Sequence, residues 1–179
     1  MESKMSTIEK HKEGYVKIRV IESLQELSLA LKFLKEDLSK NSASKAFMSW
    51  KALLSALVVI NLEKMPRYEK ERKWYYRTGF LAPATSLKRI SQRLDELGYK
   101  VIYPTAIALQ LRRYALNGLY KEASDYANRN EAMKDVIHLS KEIFNLVKTL
   151  FKEYWDNEIE EHYRLARKEL PNLQGTGPC

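Results

Sequence analysis

Residues 23–60 read SLQELSLALKFLKEDLSKNSASKAFMSWKALLSALVVI, and this stretch decides the fold. Five leucines in its first part recur at intervals of three and four residues, the spacing of one helix face: Leu24, Leu27, Leu31, Leu34 and Leu38. The second part is apolar most of the way round a helix, which is typical of a helix at the centre of a bundle. We therefore predict helices over about 22–38 and 43–64, with the polar linker KNSAS supplying the cap between them.

Three more helices are predicted after this pair. The first covers about 84–97, with a stop at Gly98, and the second begins at Pro104 and ends near Tyr120. Asn128, with Glu131 three residues later, forms a capping pair at the start of the third. Its apolar spacing runs to Tyr154 and continues, after a bend near Asp156 and Asn157, through Ile159 and Tyr163 to Leu170.

The chain of 179 residues has the length of a single domain. No series of strands alternates with the helical patterns, so we predict an all-α domain over 15–170. Its architecture is an antiparallel helical bundle of about five core helices with one inserted basic and aromatic segment. Residues 1–14 are predicted to be mobile, 15–21 (YVKIRVI) to form an extended lead-in, and 171–179 to form a tail.

Positive charge is concentrated in the middle of the chain. The whole chain carries 31 bases and 23 acids, a net charge of +8. Residues 67–113 hold eleven bases and four acids, so this window alone has a net charge of +7. Such a field favours anionic partners, such as nucleic acid or nucleotide phosphates. The alternative is a soluble basic surface with no dedicated partner, and the sequence leaves both open.

The inserted segment, residues 67–80, reads RYEKERKWYYRTGF. If it is helical, Arg67, Lys70, Lys73 and Arg77 share one side. Bases can neutralise phosphates while aromatic rings stack on nucleobases. We favour the alternative for the aromatic residues, in which they cover the bundle and leave the bases in solvent: Trp74, Tyr75 and Phe80.

Composition predicts a cytoplasmic protein that crosses no membrane. The sole cysteine is the last residue, Cys179, so no intramolecular disulfide indicates an oxidising compartment. The N-terminal stretch MESKMSTIEKHKEG lacks the apolar run of a signal peptide. The most apolar run, ALLSALVVI at 52–60, is half the length of a membrane span.

No catalytic or metal-binding motif stands out. None of the three histidines belongs to a zinc-binding arrangement: His11, His138 and His162. Glu158 lies four residues before His162, but an exposed acidic helix face explains this pair better than a metal site. The chain also lacks a Gly-x-Ser-x-Gly elbow and a glycine-rich phosphate loop. We therefore predict no metal, no cofactor and no catalytic residue.

Two stretches resemble the archaeal PaREP family, a branch of the HEPN superfamily. Residues 23–60 have the layout of that family's leucine-striped helix, Ser/Asn linker and central Ala- and Trp-bearing helix. LRRYALNGLYKEASDYANRNEAMKDVIHLSKEIFNLV, at 111–147, is similar to its closing helices. The resemblance covers roughly 20–155 and implies an all-α bundle that often dimerises.

The same resemblance implies a test for RNase activity. HEPN proteins include RNases of toxin–antitoxin systems, whose site pairs an Arg with a His four to six residues later. Here Arg112 is followed at that distance by Asn117, and His138 comes too late to pair with Arg129. An amide does not exchange a proton near neutral pH. We therefore expect a non-catalytic member that retains phosphate binding through Arg112, Arg113 and Asn117.

The leading hypothesis is a non-catalytic domain that binds RNA or a nucleotide through a basic surface. It requires bases from several helices to converge on one flank, namely Arg67, Arg72, Lys73, Arg77, Arg89, Arg93, Arg112 and Arg113, together with Asn117. The alternative is a protein-interaction or antitoxin-like homodimer, formed by an apolar stripe left over on the last helix, for example Ile159, Tyr163 and Leu170. A surviving RNase is the least favoured alternative.

Overall fold

The computed structural model describes residues 7–172, and within this range the chain forms eight α-helices and no strand. The helices are α1 (Thr7–Lys10), α2 (Lys12–Lys35), α3 (Ser39–Ile60), α4 (Glu69–Arg77), α5 (Leu87–Glu96), α6 (Ile102–Asn117), α7 (Arg129–Leu150) and α8 (Asn157–Glu169). Residues 1–6 and 173–179 lie outside the described range. They include Cys179, most of the predicted tail and part of the segment predicted to be mobile.

The central element is α3, which packs antiparallel to α2 and has 15 of its 22 residues buried. Polar side chains in this interface are paired. Ser49 Oγ donates to the carbonyl of Ser23 at 2.7 Å, and Ser42 Oγ donates to the carbonyl of Ala30 at 2.8 Å. Because a buried hydroxyl without a partner costs roughly 1–3 kcal/mol, these bonds favour one register of the two helices.

The remaining helices cover the other sides of the α2–α3 pair. Helices α6 and α7 pack against α3, and α5 packs against α6 and α3. Helix α8 lies along α2, where Ile159 is fully buried and Lys17 forms an ion pair with Asp156 at 2.6 Å. Tyr163 and Leu170 also pack against the core, and both are half-buried. The residues expected to form a free apolar stripe on the last helix therefore pack within the bundle instead.

The all-α fold is confirmed, and several predicted helix ends are confirmed with it. Asn128 caps α7, because its Oδ1 accepts the Glu131 amide at 3.1 Å. Helix α6 ends at Asn117, and Gly118 follows with φ 61°, the left-handed region that favours glycine. The predicted bend is a complete break, after which Asp156 caps α8 through the amides of Glu158 and Ile159.

The start of the first long helix was predicted wrongly. Residues 15–21 are helical, because α2 begins at Lys12. Val16 and Val20 are fully buried and continue the four-residue spacing to Leu24, so one helix stripe includes them. Apolar and polar residues alternate in YVKIRVI, and this suggested an extended lead-in because the period of so short a run is ambiguous.

The second helix begins earlier than predicted, at Ser39 instead of residue 43. Ser42, the linker hydroxyl expected to cap it, has a tertiary partner instead, and so has Ser39, the first residue of the helix. Ser42 bonds to α2, and Ser39 Oγ lies 2.8 Å from the Tyr114 hydroxyl on α6. The helix also ends at Ile60, four residues before the predicted end.

Among the described residues, one helix has the length and apolar composition of a membrane span, and it is α3. However, 72% of its most apolar window is buried within the bundle. The core helix of a soluble protein passes the same test, so the apolar face of α3 is explained by packing.

Candidate nucleic-acid interface

Helix α4 lies on the bundle through its aromatic side chains. Tyr75 is 2% exposed, and the half-buried Trp74 meets it edge-on with ring centroids 4.9 Å apart. Phe80 packs edge-on against Tyr15 of α2 at 5.5 Å. A Cβ at Gly79 would lie 2.5 Å from the Trp74 ring, so glycine allows this close packing. The prediction that these aromatic residues cover the bundle is confirmed.

The opposite side of α4 carries positive charge. Lys70, Lys73 and Arg77 are exposed and lie at i, i+3 and i+7, which places them on one face. Within the described residues, none of the three forms an ion pair or a side-chain hydrogen bond. Their positive charges are therefore available to an external anion.

Two arginines lie over aromatic rings at the edges of this face. The Arg89 guanidinium of α5 lies 3.9 Å from the centroid of the Trp74 ring, and that of Arg72 lies 5.1 Å from the Tyr76 ring. A cation–π contact positions a guanidinium without using its hydrogen-bond donors. Tyr68, just before α4, has 60% of its surface exposed and adds an accessible ring beside the bases.

Two predicted binding arginines instead hold the scaffold together. Arg93 donates to the carbonyls of Lys64 and Met65, at 2.6 and 2.8 Å, and so joins α5 to the segment that follows α3. Its Nη1 also donates to Glu96 at 2.8 Å, and Arg67 donates to the same carboxylate at 2.6 Å. The hydrogen bond from Arg93 is the main cause that lowers the pKa of Glu96, and the bond from Arg67 is the second. The carboxylate therefore stays ionised in mildly acidic solution.

The second predicted group lies at the far end of α6. Arg113 Nη1 lies 3.0 Å from both carboxylate oxygens of Asp125, Arg112 lies over the Phe47 ring at 5.7 Å, and Asn117 is exposed. Phe47 lies in the first half of α3, whereas Arg93 hydrogen-bonds to backbone carbonyls just beyond the last turn of α3. At 1.5 Å per residue these points are roughly 20 Å apart along α3. The nine predicted residues therefore do not converge on one surface, although Arg113 of this second group also lines a groove against α5.

A groove of about 330 Å³, which was not predicted from the sequence, lies between α5 and α6. Lys88 and Gln92 line it from α5, and Ile102, Gln110 and Arg113 line it from α6. The sequence contained a signal for this groove, namely polar residues at i, i+4 on α5 and at i, i+3 on α6. It was hidden because such residues usually belong to a solvated helix face.

No metal centre accompanies these groups. Within residues 7–172, no cluster of three His, Cys, Asp or Glu residues is placed to hold an ion. His138, on α7, meets the ring of Tyr103 edge-on at 5.8 Å. The described chemistry of the surface is therefore that of cations, amides and aromatic rings.

These features define an all-α helical bundle with an inserted basic helix. The chain belongs to the archaeal PaREP1/PaREP8 family, whose model matches residues 18–137. That range runs from α2 into α7 and includes both basic groups and the groove. No curated protein and no solved structure is significantly similar to the chain. The match of the family model confirms the resemblance to this family that the sequence indicated.

The two kinds of arginine are expected to differ in their effect on stability. Arg93→Ala should lower the free energy of unfolding by about 1–3 kcal/mol, because two backbone carbonyls lose a charged donor. Arg77→Ala removes an exposed side chain that has no ion pair among residues 7–172, and should change the free energy of unfolding by less than about 0.5 kcal/mol. Urea unfolding followed by circular dichroism measures both values. Equal losses in the two variants would contradict the scaffold role of Arg93.

Proposed function

We propose that this protein binds single-stranded RNA through the exposed side of α4 and the adjoining edge of α5, and does not cleave it. One observation carries the proposal: five neighbouring cations on α4 and α5 form no ion pair with an acid within the described residues. Three other bases of residues 67–113 do form such pairs, namely Arg67, Arg93 and Arg113. The five are Lys70, Arg72, Lys73, Arg77 and Arg89.

The arrangement suits a phosphate backbone with unpaired bases. Lys and Arg that neutralise phosphates release condensed counterions, which drives association at low salt. The exposed ring of Tyr68 offers a stacking surface that any unpaired base can use. Helix α4 has nine residues and is therefore about 13 Å long, enough for a few nucleotides of an extended strand.

The absence of cleavage is part of the proposal. In the HEPN placement that the sequence suggests, Asn117 stands where an RNase would carry its histidine. An amide at this position does not exchange a proton near neutral pH and so cannot assist cleavage. The same proposal places the protein in the cytoplasm, where RNA is available to it.

Neutralising the basic face of α4 should weaken RNA binding. In the triple variant Lys70→Ala, Lys73→Ala, Arg77→Ala, affinity for a short single-stranded RNA should fall roughly tenfold or more at low salt. The slope of log K against log salt should become shallower by about 2, since each contact to a single strand contributes roughly 0.7. Fluorescence anisotropy across a salt series measures both quantities.

A matched control removes the same charge from α7. Lys134, Lys141 and Lys148 are exposed lysines there, and none has an ion pair within the described residues. Their triple Ala variant should keep the wild-type slope. Equal losses in the two triple variants would show a general charge effect, and no binding by the wild type at low salt would end the proposal.

A second candidate function is a homodimeric interaction module. Four large apolar side chains are exposed at the end of α6 and at the α2–α3 turn: Leu38, Leu116, Leu119 and Tyr120. The two segments meet, since Ser39 Oγ lies 2.8 Å from the Tyr114 hydroxyl, and Leu116 and Tyr120 are 65% and 64% exposed.

Sedimentation velocity over a range of concentrations tests this candidate. Dimerisation through these side chains predicts a sedimentation coefficient that rises with concentration and loses this rise in Leu116→Ser. Leu165→Ser, at a 41% exposed position on α8, is the matched control and should leave the rise intact. A coefficient independent of concentration in the wild type would eliminate the candidate.

A further inference from the structure

We propose that the groove between α5 and α6 holds one unpaired RNA base with its phosphate and gives the protein a preference among bases. This inference rests on the proposed RNA binding and assigns it a specificity site. The cations of α4 would bind any strand, whereas the groove would select which base enters it.

One end of the groove is suited to a phosphate. Lys88 is exposed there without an ion-pair partner in the described chain, and Arg113 engages Asp125 through Nη1 alone. The remaining guanidinium donors of Arg113 therefore stay available. Asp125 also lines the groove, and the next residue, Tyr126, is 9% exposed and donates its hydroxyl to Asp135 at 2.8 Å. Burial, together with this hydrogen bond, raises the pKa of Tyr126, so the hydroxyl remains a donor.

The rest of the groove is suited to a base. Gln92 and Gln110 line it from opposite helices, and neither side chain makes a hydrogen bond within the described residues. A primary amide presents a donor and an acceptor together, which is the pattern that the edges of nucleobases require. The aliphatic residues Ile102, Ala106 and Leu109 also line the groove and can cover the flat face of a ring.

The groove is continuous with the proposed backbone-binding face. Lys88 and Arg89 are consecutive residues of α5; the first lines the groove and the second lies over Trp74 of α4. A strand bound along α4 can therefore cross α5 and place its next base between α5 and α6. A volume of about 330 Å³ is at the lower end of ligand sites, which suits one nucleotide and excludes a duplex.

The test compares single-stranded homopolymers of adenylate, cytidylate and uridylate with an abasic ribose–phosphate oligomer of equal length. The wild type should bind its best homopolymer roughly tenfold more tightly than its worst, because a satisfied amide pair discriminates by about that factor. Ala106→Trp fills the groove at an exposed position and should reduce this ratio to about twofold or less. Its affinity for the abasic oligomer should stay within about twofold of the wild type, because Lys88 and Arg113 can still meet a phosphate, and a native circular dichroism spectrum shows that the variant is folded.

Two further variants complete the experiment. Gln92→Leu combined with Gln110→Leu keeps the groove open but removes its amides, and should abolish the preference as Ala106→Trp does. Asn145→Trp adds the same ring at an exposed position of α7 and should retain the wild-type ratio.

The outcomes separate the two proposals. If the wild type binds no oligomer at low salt, RNA binding itself is refuted. If it binds all homopolymers equally, or if both groove variants keep the preference, the groove inference is overturned while RNA binding through α4 stands.

Discussion

The burial of α3 is the constraint on which the rest of the structure depends. A helix that is apolar most of the way round must be covered on every side, and α2, α5, α6 and α7 provide that cover. The polar atoms within this core are paired, as in the 3.0 Å bond from Trp50 Nε1 to Thr105 Oγ1. Such pairs orient the surrounding helices, because a slip of one turn would leave a buried donor without its acceptor.

The basic surface follows from this arrangement. Where α3 ends, Arg93 binds the carbonyls of Lys64 and Met65, and Glu96 links it to Arg67. These contacts pair Glu96 with two of the predicted binding residues, Arg67 and Arg93. Helix α4 then packs through Tyr75, so its opposite face keeps Lys70, Lys73 and Arg77, which form no ion pair within the described residues.

The sequence predicted what depends on local periodicity. The buried stripe of α2 and α3, the Asn128 cap and the aromatic contact of α4 all arise from spacing along one element, and the structure confirms them. The sequence did not predict which bases would have partners and which would remain exposed. The partners of Arg93 and Arg113 are 28 and 12 residues away in the chain. The groove was missed for the same reason, since its two walls become neighbours only when α5 folds back on α6.

Mapping of amide chemical shifts by NMR during titration with a short single-stranded RNA tests the central claim most directly. The account predicts that the largest changes occur in α4 and along α5, continue into the facing side of α6, and leave α7 and α8 almost unchanged. Changes confined to α8, or to the end of α6 around Arg112 and Asn117, would contradict it.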